Sequence, residues 1–441
     1  MAKFTSYSPA SRLTGSETLL LAQNGTIVSA TLDMLRDASP NSAGVYPDVP
    51  LNRVTIKRKV PQESPVVVID DNISMVEKIR SMCYPCLVDR NSHVAAYLNG
   101  NDTTKTVDGL AAPLGDYTLQ EMTHLGGIYH KYVYDAANNI KETRLSIYPV
   151  RGYKYVRGRF FPMKAGTVEE QGGKKLLLSN SGKWSSQNYT VQQYHEFAKN
   201  LGDHFRGLAI QDYNIYRTLF NLFKGTYNSQ SLYGITGFDW NKWVNTPNSE
   251  DSATTQCCQP YKLGITNSIA GHEGKLGPQT FTYKDGTTVT FQPYKFLWAE
   301  GFLSGPYWLR LTGALKKNHK WYVAKDINTC TSWDAEDDNH QYLCDACQNE
   351  GWITDTFEDT FFVTAVGGSD SKYFCDYYWL NKDDVTANFI PAVVGSSDHG
   401  SDVGCSCLSS SDGVSDSYPS VGGAVASDDP ADTIPDGTVV V

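Results

Sequence analysis

Four residues in the last third of the chain carry the spacing of a metal site. Cys330, His340, Cys344 and Cys347 form a Cys-x9-His-x3-Cys-x2-Cys set. Zinc favours four nitrogen and sulfur ligands, and two cysteines separated by two residues supply half of many such sites. The same loop carries Asp334, Glu336, Asp337 and Asp338, whose oxygens suit calcium instead. The bland alternative is two thiols on a turn beside a histidine, which leaves the chain with no cofactor. Cys83 and Cys86 repeat the short spacing without a His or a second Cys pair close by in the sequence, which fits core thiols. No apolar leader opens the sequence, so the ten cysteines are expected to be reduced.

The second candidate is a binding surface. Residues 396–420 are almost entirely Ser, Asp, Gly, Cys, His and Tyr, with Val403, Leu408 and Val414 as sparse apolar anchors. Surfaces rich in Tyr, Ser and Gly bind adaptably at low entropic cost. The contact candidates are Ser396, Ser397, Asp398, His399, Ser401, Asp402, Ser406, Ser410 and Asp412. Tyr373, Tyr377 and Tyr378 lie close by in sequence as aromatic anchors, with Trp379 beside them. An ordinary Ser-rich surface loop is the competing explanation. No Gly-x-Ser-x-Gly elbow, His-Glu-x-x-His pair or phosphate-binding loop is present, and no enzyme is expected.

The elements that must position these residues are short. Two apolar runs flank Asn24-Gly25, a strong hairpin signal, and Thr31 is placed to cap a short helix over 32–35. Residues 40–50 look like a linker. Helical spacing occurs at 75–82, 194–202 and 208–223. Strand patterns occur at 66–71, 86–98, 129–134, 143–148, 281–291, 308–312, 321–324, 361–366 and 389–394. Two early helices ahead of a Gly- and Trp-rich strand region predict an α+β, multidomain chain.

The 441 residues carry 38 basic and 48 acidic side chains, for a formal charge of −10. That balance disfavours a protein that neutralises nucleic-acid phosphates over its whole surface, and no nucleic-acid partner is expected. From residue 331 onward there are 21 Asp and Glu against two Lys, leaving 27 acids against 36 bases in residues 1–330. The acidic end and the basic remainder are therefore expected to be different functional regions. No apolar run of 18 or more residues exists, so no membrane insertion is expected.

Three stretches together resemble tailed-phage fibre proteins of Bacteroides-type (crAss-like) phages. Leu13-Thr14-Gly15-Ser16-Glu17 through Thr31-Leu32-Asp33-Met34-Leu35 looks like the particle-attachment peptide of head and tail fibres. Cys86 to Asp102, continuing to Val107-Asp108-Gly109, is similar to a fibre module of such phages. Tyr294 to Trp298, Ser371 to Trp379, and Val394-Gly395 through Gly404 to Val421-Gly422-Gly423 resemble a C-type-lectin-like domain of formylglycine-generating-enzyme type. That domain serves as the variable protein of diversity-generating retroelements. The match departs in two places: Ala424 stands where a corner Arg is usual, and Asp398 where a Trp often follows the glycine strand.

The resemblance implies a virion protein, made in the host bacterial cytoplasm and assembled as a homotrimer. Its anchor residues would be Leu13, Leu19, Leu20, Leu21, Ile27, Leu32 and Leu35, contacting phage capsid or tail proteins. A host cell-surface receptor, glycan or protein, would meet the lectin-like domain. The implied divisions are an attachment peptide and linker at 1–50, a small β-rich module at 51–157, the lectin-like domain at 158–426 and an acidic tail at 427–441. A purely structural capsid-decorating protein is one alternative. The other is an oxidase of formylglycine-generating type, in which Cys405 and Cys407 would hold copper.

Overall fold

In the computed structural model of the chain, the described residues are 18–23, 26–31, 40–41, 44–61, 63–234, 261–282, 288–305, 307–358, 360–382, 387–395 and 399–432. Strands hold 39% of the residues and helices 12%, so the fold is mainly β and the α+β expectation is corrected. The helical patterns were strong enough to be seen, and they appear as Ile73–Ser81, Val191–Lys199 and Ile210–Lys224. Many strands are only two to four residues long and show little alternation, and these outweigh the helices.

Thr18–Gln23 and Thr26–Thr31 pair antiparallel with Gln23 opposite Thr26, as the Asn-Gly signal predicts. Leu19, Leu20, Leu21 and Ile27 lie on these two strands; Leu13, Leu32 and Leu35 lie outside the described residues. The expected linker at 40–50 is corrected in its second half. Tyr46 stacks on Tyr148 with centroids 4.7 Å apart. Asp48 accepts from Arg53 at 2.9 Å, Lys131 at 3.0 Å, Arg144 at 2.9 Å and the Tyr153 hydroxyl at 3.1 Å. These cations hold its carboxyl below the usual range, against the opposing effect of burial.

A five-stranded antiparallel sheet runs Lys154–Val156, Ile128–Asp135, Ile140–Ser146, Val54–Lys59, Val68–Asp71. A seven-stranded antiparallel sheet runs Phe205–Gly207, Val425–Asp428, Arg159–Pro162, Gln120–Leu125, Tyr84–Val88, Val94–Asn99, Asp102–Thr106. It takes strands from both sides of position 157, and one hydrophobic cluster includes Val54, Phe161, Tyr216, Phe296 and Leu408. Gln120–Leu125 is buried throughout despite its polar sequence. Most of its side-chain polar groups are paired: Gln120 Oε1 accepts from Ser179 N at 2.8 Å, the Thr123 hydroxyl donates to Leu297 O at 2.6 Å, and only the buried Gln120 Nε2 lacks a partner.

The expected tail at 427–441 is also corrected. Ser427 and Asp428 complete a buried strand, and Asp429 and Asp432 continue the contact through His124 at 3.0 Å and the Tyr155 hydroxyl at 2.6 Å. Arg206 bridges Asp428 at 2.9 Å and Asp212 at 2.8 Å, while Arg159 reaches Asp212 at 2.7 Å. A polar sequence stays inside because its charges are paired there. Residues 433–441 lie outside the described residues.

Ile210–Lys224 is a helix with Ala209 before it and Gly225 in the left-handed region (φ 64°) after it. Its Tyr213, Tyr216, Leu219 and Phe220 are buried, and Tyr216 stacks on Phe161 at 4.3 Å. Burial of each large side chain contributes about 1.5–3 kcal/mol. A second seven-stranded sheet, mixed in direction, runs Val363–Val366, Gly351–Thr356, Tyr377–Leu380, Leu408–Ser410, Ala392–Val393, Trp308–Arg310, Val421–Gly422. Gly423 is fixed by packing, because a Cβ there would sit 2.4 Å from Tyr194 Cγ. Among the described residues, no helix is long and apolar enough to cross a membrane.

Candidate functional site

The strand Tyr377–Leu380 alternates half-buried and buried positions. Successive side chains on a strand point to opposite faces, so Tyr377 and Trp379 share the outer face while Tyr378 and Leu380 enter the core. Trp352 stands opposite Tyr377 in the adjacent strand, with ring centroids 5.8 Å apart. Tyr377 lies 4.8 Å from Trp379, and Trp379 lies 4.8 Å from His399 and 5.1 Å from Trp308. Trp308 is buried behind the row, packed with Val403 and Cys407. The outcome is a continuous, part-exposed aromatic face of Trp352, Tyr377, Trp379 and His399 on the edge half of a rigid sheet.

Carboxylates border this face. Burial pushes the Tyr377 phenol upward, and the charges of Glu350 and Asp402 add to that shift. Glu350 also accepts the Leu380 backbone N–H at 2.9 Å, which ties its position to the same strand. Aromatic faces with neighbouring hydrogen-bond acceptors can stack on the apolar face of a sugar ring while accepting from its hydroxyls.

The structure separates the other sequence candidates. His399 is on the aromatic face, and Ser401 and Asp402 are part-exposed in the adjoining turn Gly400–Asp402. Ser396, Ser397 and Asp398 lie outside the described residues. Tyr378, Ser406 and Ser410 are buried and are corrected as surface contacts; the Tyr378 hydroxyl meets Ser410 Oγ at 3.1 Å. Asp412 is also tied down, accepting from the fully buried Arg310 at 3.1 Å. Tyr373 is half-buried against the main core. Val403 and Leu408 are buried anchors as expected, and Val414 is partly so. Trp352 was missed because it sits 25 positions before Tyr377 in the sequence and is adjacent only across the sheet.

Cys405 and Cys407 are both fully buried. Burial pushes the Cys405 thiol up to about 12 and Cys407 well above its ordinary value. Cys405 donates to Tyr227 O at 3.0 Å, and its N–H donates to Ser229 Oγ at 2.9 Å. Both are protonated core thiols at neutral pH. Asp376 lies in the same core, accepting from Ser406 N at 2.7 Å, and burial raises its carboxyl to about 8.

The Cys330, His340, Cys344 and Cys347 set does not converge. Cys330 Sγ is 3.7 Å from His340 Nε2, but Cys344 is buried in the strand opposite Trp321 and Cys347 bonds Asn349 O. Asp334 and Glu336 pair with Lys317 at 3.1 and 2.9 Å, and Asp337 pairs with His340. Among the described residues, no group of three or more His, Cys, Asp or Glu side chains is placed to hold a metal ion. The zinc and calcium arrangements are both corrected: the strand His340–Asp345 carries Cys344 away from the loop, and Asp334, Glu336 and Asp337 are engaged in ion pairs. The eight described cysteines are free thiols, and Cys257 and Cys258 lie outside the described residues.

Comparison with protein-family models and with curated protein sequences finds no match to this chain.

Proposed function

We propose that the chain is a phage virion fibre that uses the aromatic face at Trp352, Tyr377, Trp379 and His399 to bind a host cell-surface glycan. The observation that carries the reading is the part-exposed row of rings itself, with ring-to-ring distances of 4.8–5.8 Å. A protein without a ligand gains little by leaving two tryptophans and a tyrosine part-exposed together on one face. Tyr and Trp concentrate binding energy with few rotamers to freeze. Glu350 and Asp402 supply acceptors for sugar hydroxyls beside the rings.

In this reading the N-terminal hairpin joins the chain to the particle, and trimeric display multiplies weak single sites into useful avidity. The sequence resemblance to phage fibres supports both points. The virion fibre would be released from the bacterial cytoplasm with the particle. The test is adsorption of the full chain to host cells and to isolated host polysaccharide, comparing wild type with Trp379→Ala and Trp352→Ala. Retained binding in both variants leaves a structural decorating protein in place of the receptor binder.

A further inference from the structure

A narrow cleft lies among the helix Val191–Lys199, residues 312–315 and the loop 327–333, with His195, Leu315, Cys330, Trp333 and His340 among its walls. Cys330 is part-exposed there. Its Sγ is 3.7 Å from His340 Nε2, and His340 Nδ1 is 2.9 Å from Asp337 Oδ1. Asp337 is itself fixed by Asn339, through the backbone N–H at 2.9 Å and the amide at 3.0 Å. A nucleophile within reach of an imidazole, with that imidazole oriented by a carboxylate, is the arrangement used in nucleophilic catalysis.

His195 supplies a second, independent observation. It is 6% exposed, lines the same cleft, and neither of its ring nitrogens has a hydrogen-bond partner. A buried polar group left in that state carries a desolvation cost that no partner offsets. Burial, with Lys199 and Arg206 adding to it, pushes the imidazole down to about 4, so it is neutral at pH 7 and keeps one N–H to donate. His340 differs: burial alone would lower it, but the contacts with Cys330 and Asp337 hold it above its ordinary value.

We propose that Cys330 and His340, positioned by Asp337 and sharing their cleft with His195, form a nucleophilic thiol site that hydrolyses esters of short carboxylic acids such as acetate. The Cys330 proton passes to His340 Nε2 as Sγ bonds to the ester carbonyl carbon, and the carbonyl electrons move onto oxygen, which accepts a hydrogen bond from the His195 N–H. The oxyanion collapses, the carbon–oxygen bond to the alcohol breaks, and the leaving alkoxide takes the proton from His340. Water, deprotonated by His340, then cleaves the acyl thioester to the carboxylic acid and restores the thiol. The cleft has room for little more than a water molecule between its Leu315, Ile327 and Trp333 walls, so an ester reaches Sγ only at the cleft mouth and only with a small acyl group. This activity does not rest on the glycan-binding reading.

The test treats the full chain with p-nitrophenyl acetate at neutral pH and locates any acetyl group by peptide mass spectrometry. The expected result is a nitrophenolate burst of about one equivalent per chain, with the acetyl group on Cys330. Cys330→Ser abolishes both, whereas Cys347→Ser, which removes another part-exposed thiol, leaves both unchanged. His340→Gln slows acetylation at least about tenfold. Asp337→Asn, at a part-exposed position, does the same without changing the half-saturating ester concentration or the melting temperature. Absence of acetyl on Cys330 in the folded wild type, or equal acetylation of Cys330 and Cys347, overturns the proposal.

Discussion

Tyr377 and Tyr378 are neighbours in the chain and face opposite sides of one strand, the first part-exposed beside Trp379 and the second fully buried with its hydroxyl 3.1 Å from Ser410 Oγ. Truncating the two should therefore have opposite consequences. Tyr378→Ala removes a core aromatic and should cost about 3–5 kcal/mol of stability. Tyr377→Ala should stay within about 1 kcal/mol of wild type. Chemical denaturation of both variants checks this, and equal losses would place Tyr377 in the core as well.

The attachment boundary is the second prediction. Asp48 gathers Arg53, Lys131, Arg144 and the Tyr153 hydroxyl, so residues from 44 onward belong to the folded body. Deleting residues 1–39 should leave the melting temperature close to wild type and prevent incorporation into particles. Deleting 1–50 should also lower the melting temperature, because three basic side chains lose their shared carboxylate. Normal incorporation of the shorter deletion would remove the hairpin from the anchor.

A third prediction concerns pH. The folded state keeps the Asp376 proton up to about pH 8, whereas an unfolded chain releases it near the ordinary carboxylate value of about 4. Between those values the folded state binds more protons than the unfolded one, so this group lowers stability as pH rises through the window. Asp376→Asn should remove that contribution. Melting temperatures measured across pH 4–8 should fall less steeply in the variant than in the wild type. Parallel curves would mean that Asp376 is ionised in the fold.

The sequence was most legible where local chemistry decides structure. The Asn24-Gly25 pair announced a hairpin, and Tyr213, Tyr216, Leu219 and Phe220 announced a helix face. It was least legible where long-range pairing decides. Gln120–Leu125 looks polar and is central, because Ser179 and Leu297 arrive from distant segments to pair the Gln120 Oε1 and the Thr123 hydroxyl. Asp428 looks like tail and is core, because Arg206 and Asn328 meet it at 2.9 and 2.6 Å. The site divides along the same line. The Ser- and Asp-rich stretch suggested a freely variable surface, yet Ser406 and Ser410 are buried and Asp412 neutralises the buried Arg310. The aromatic face needed the pairing of Trp352 with Tyr377, which no single stretch of sequence contains.

Glycan binding by the aromatic face is measured as the affinity of the full chain for host cell-surface polysaccharide, for wild type and Trp379→Ala, with melting recorded alongside. Trp379 touches Tyr377, His399 and Trp308, so its removal breaks the aromatic row at its middle. A binding residue of this kind costs about 2 kcal/mol or more when truncated, which is at least about a thirtyfold loss of affinity. Trp379→Ala should show that loss with the fold retained. Unchanged affinity in a folded variant would contradict glycan binding by this face.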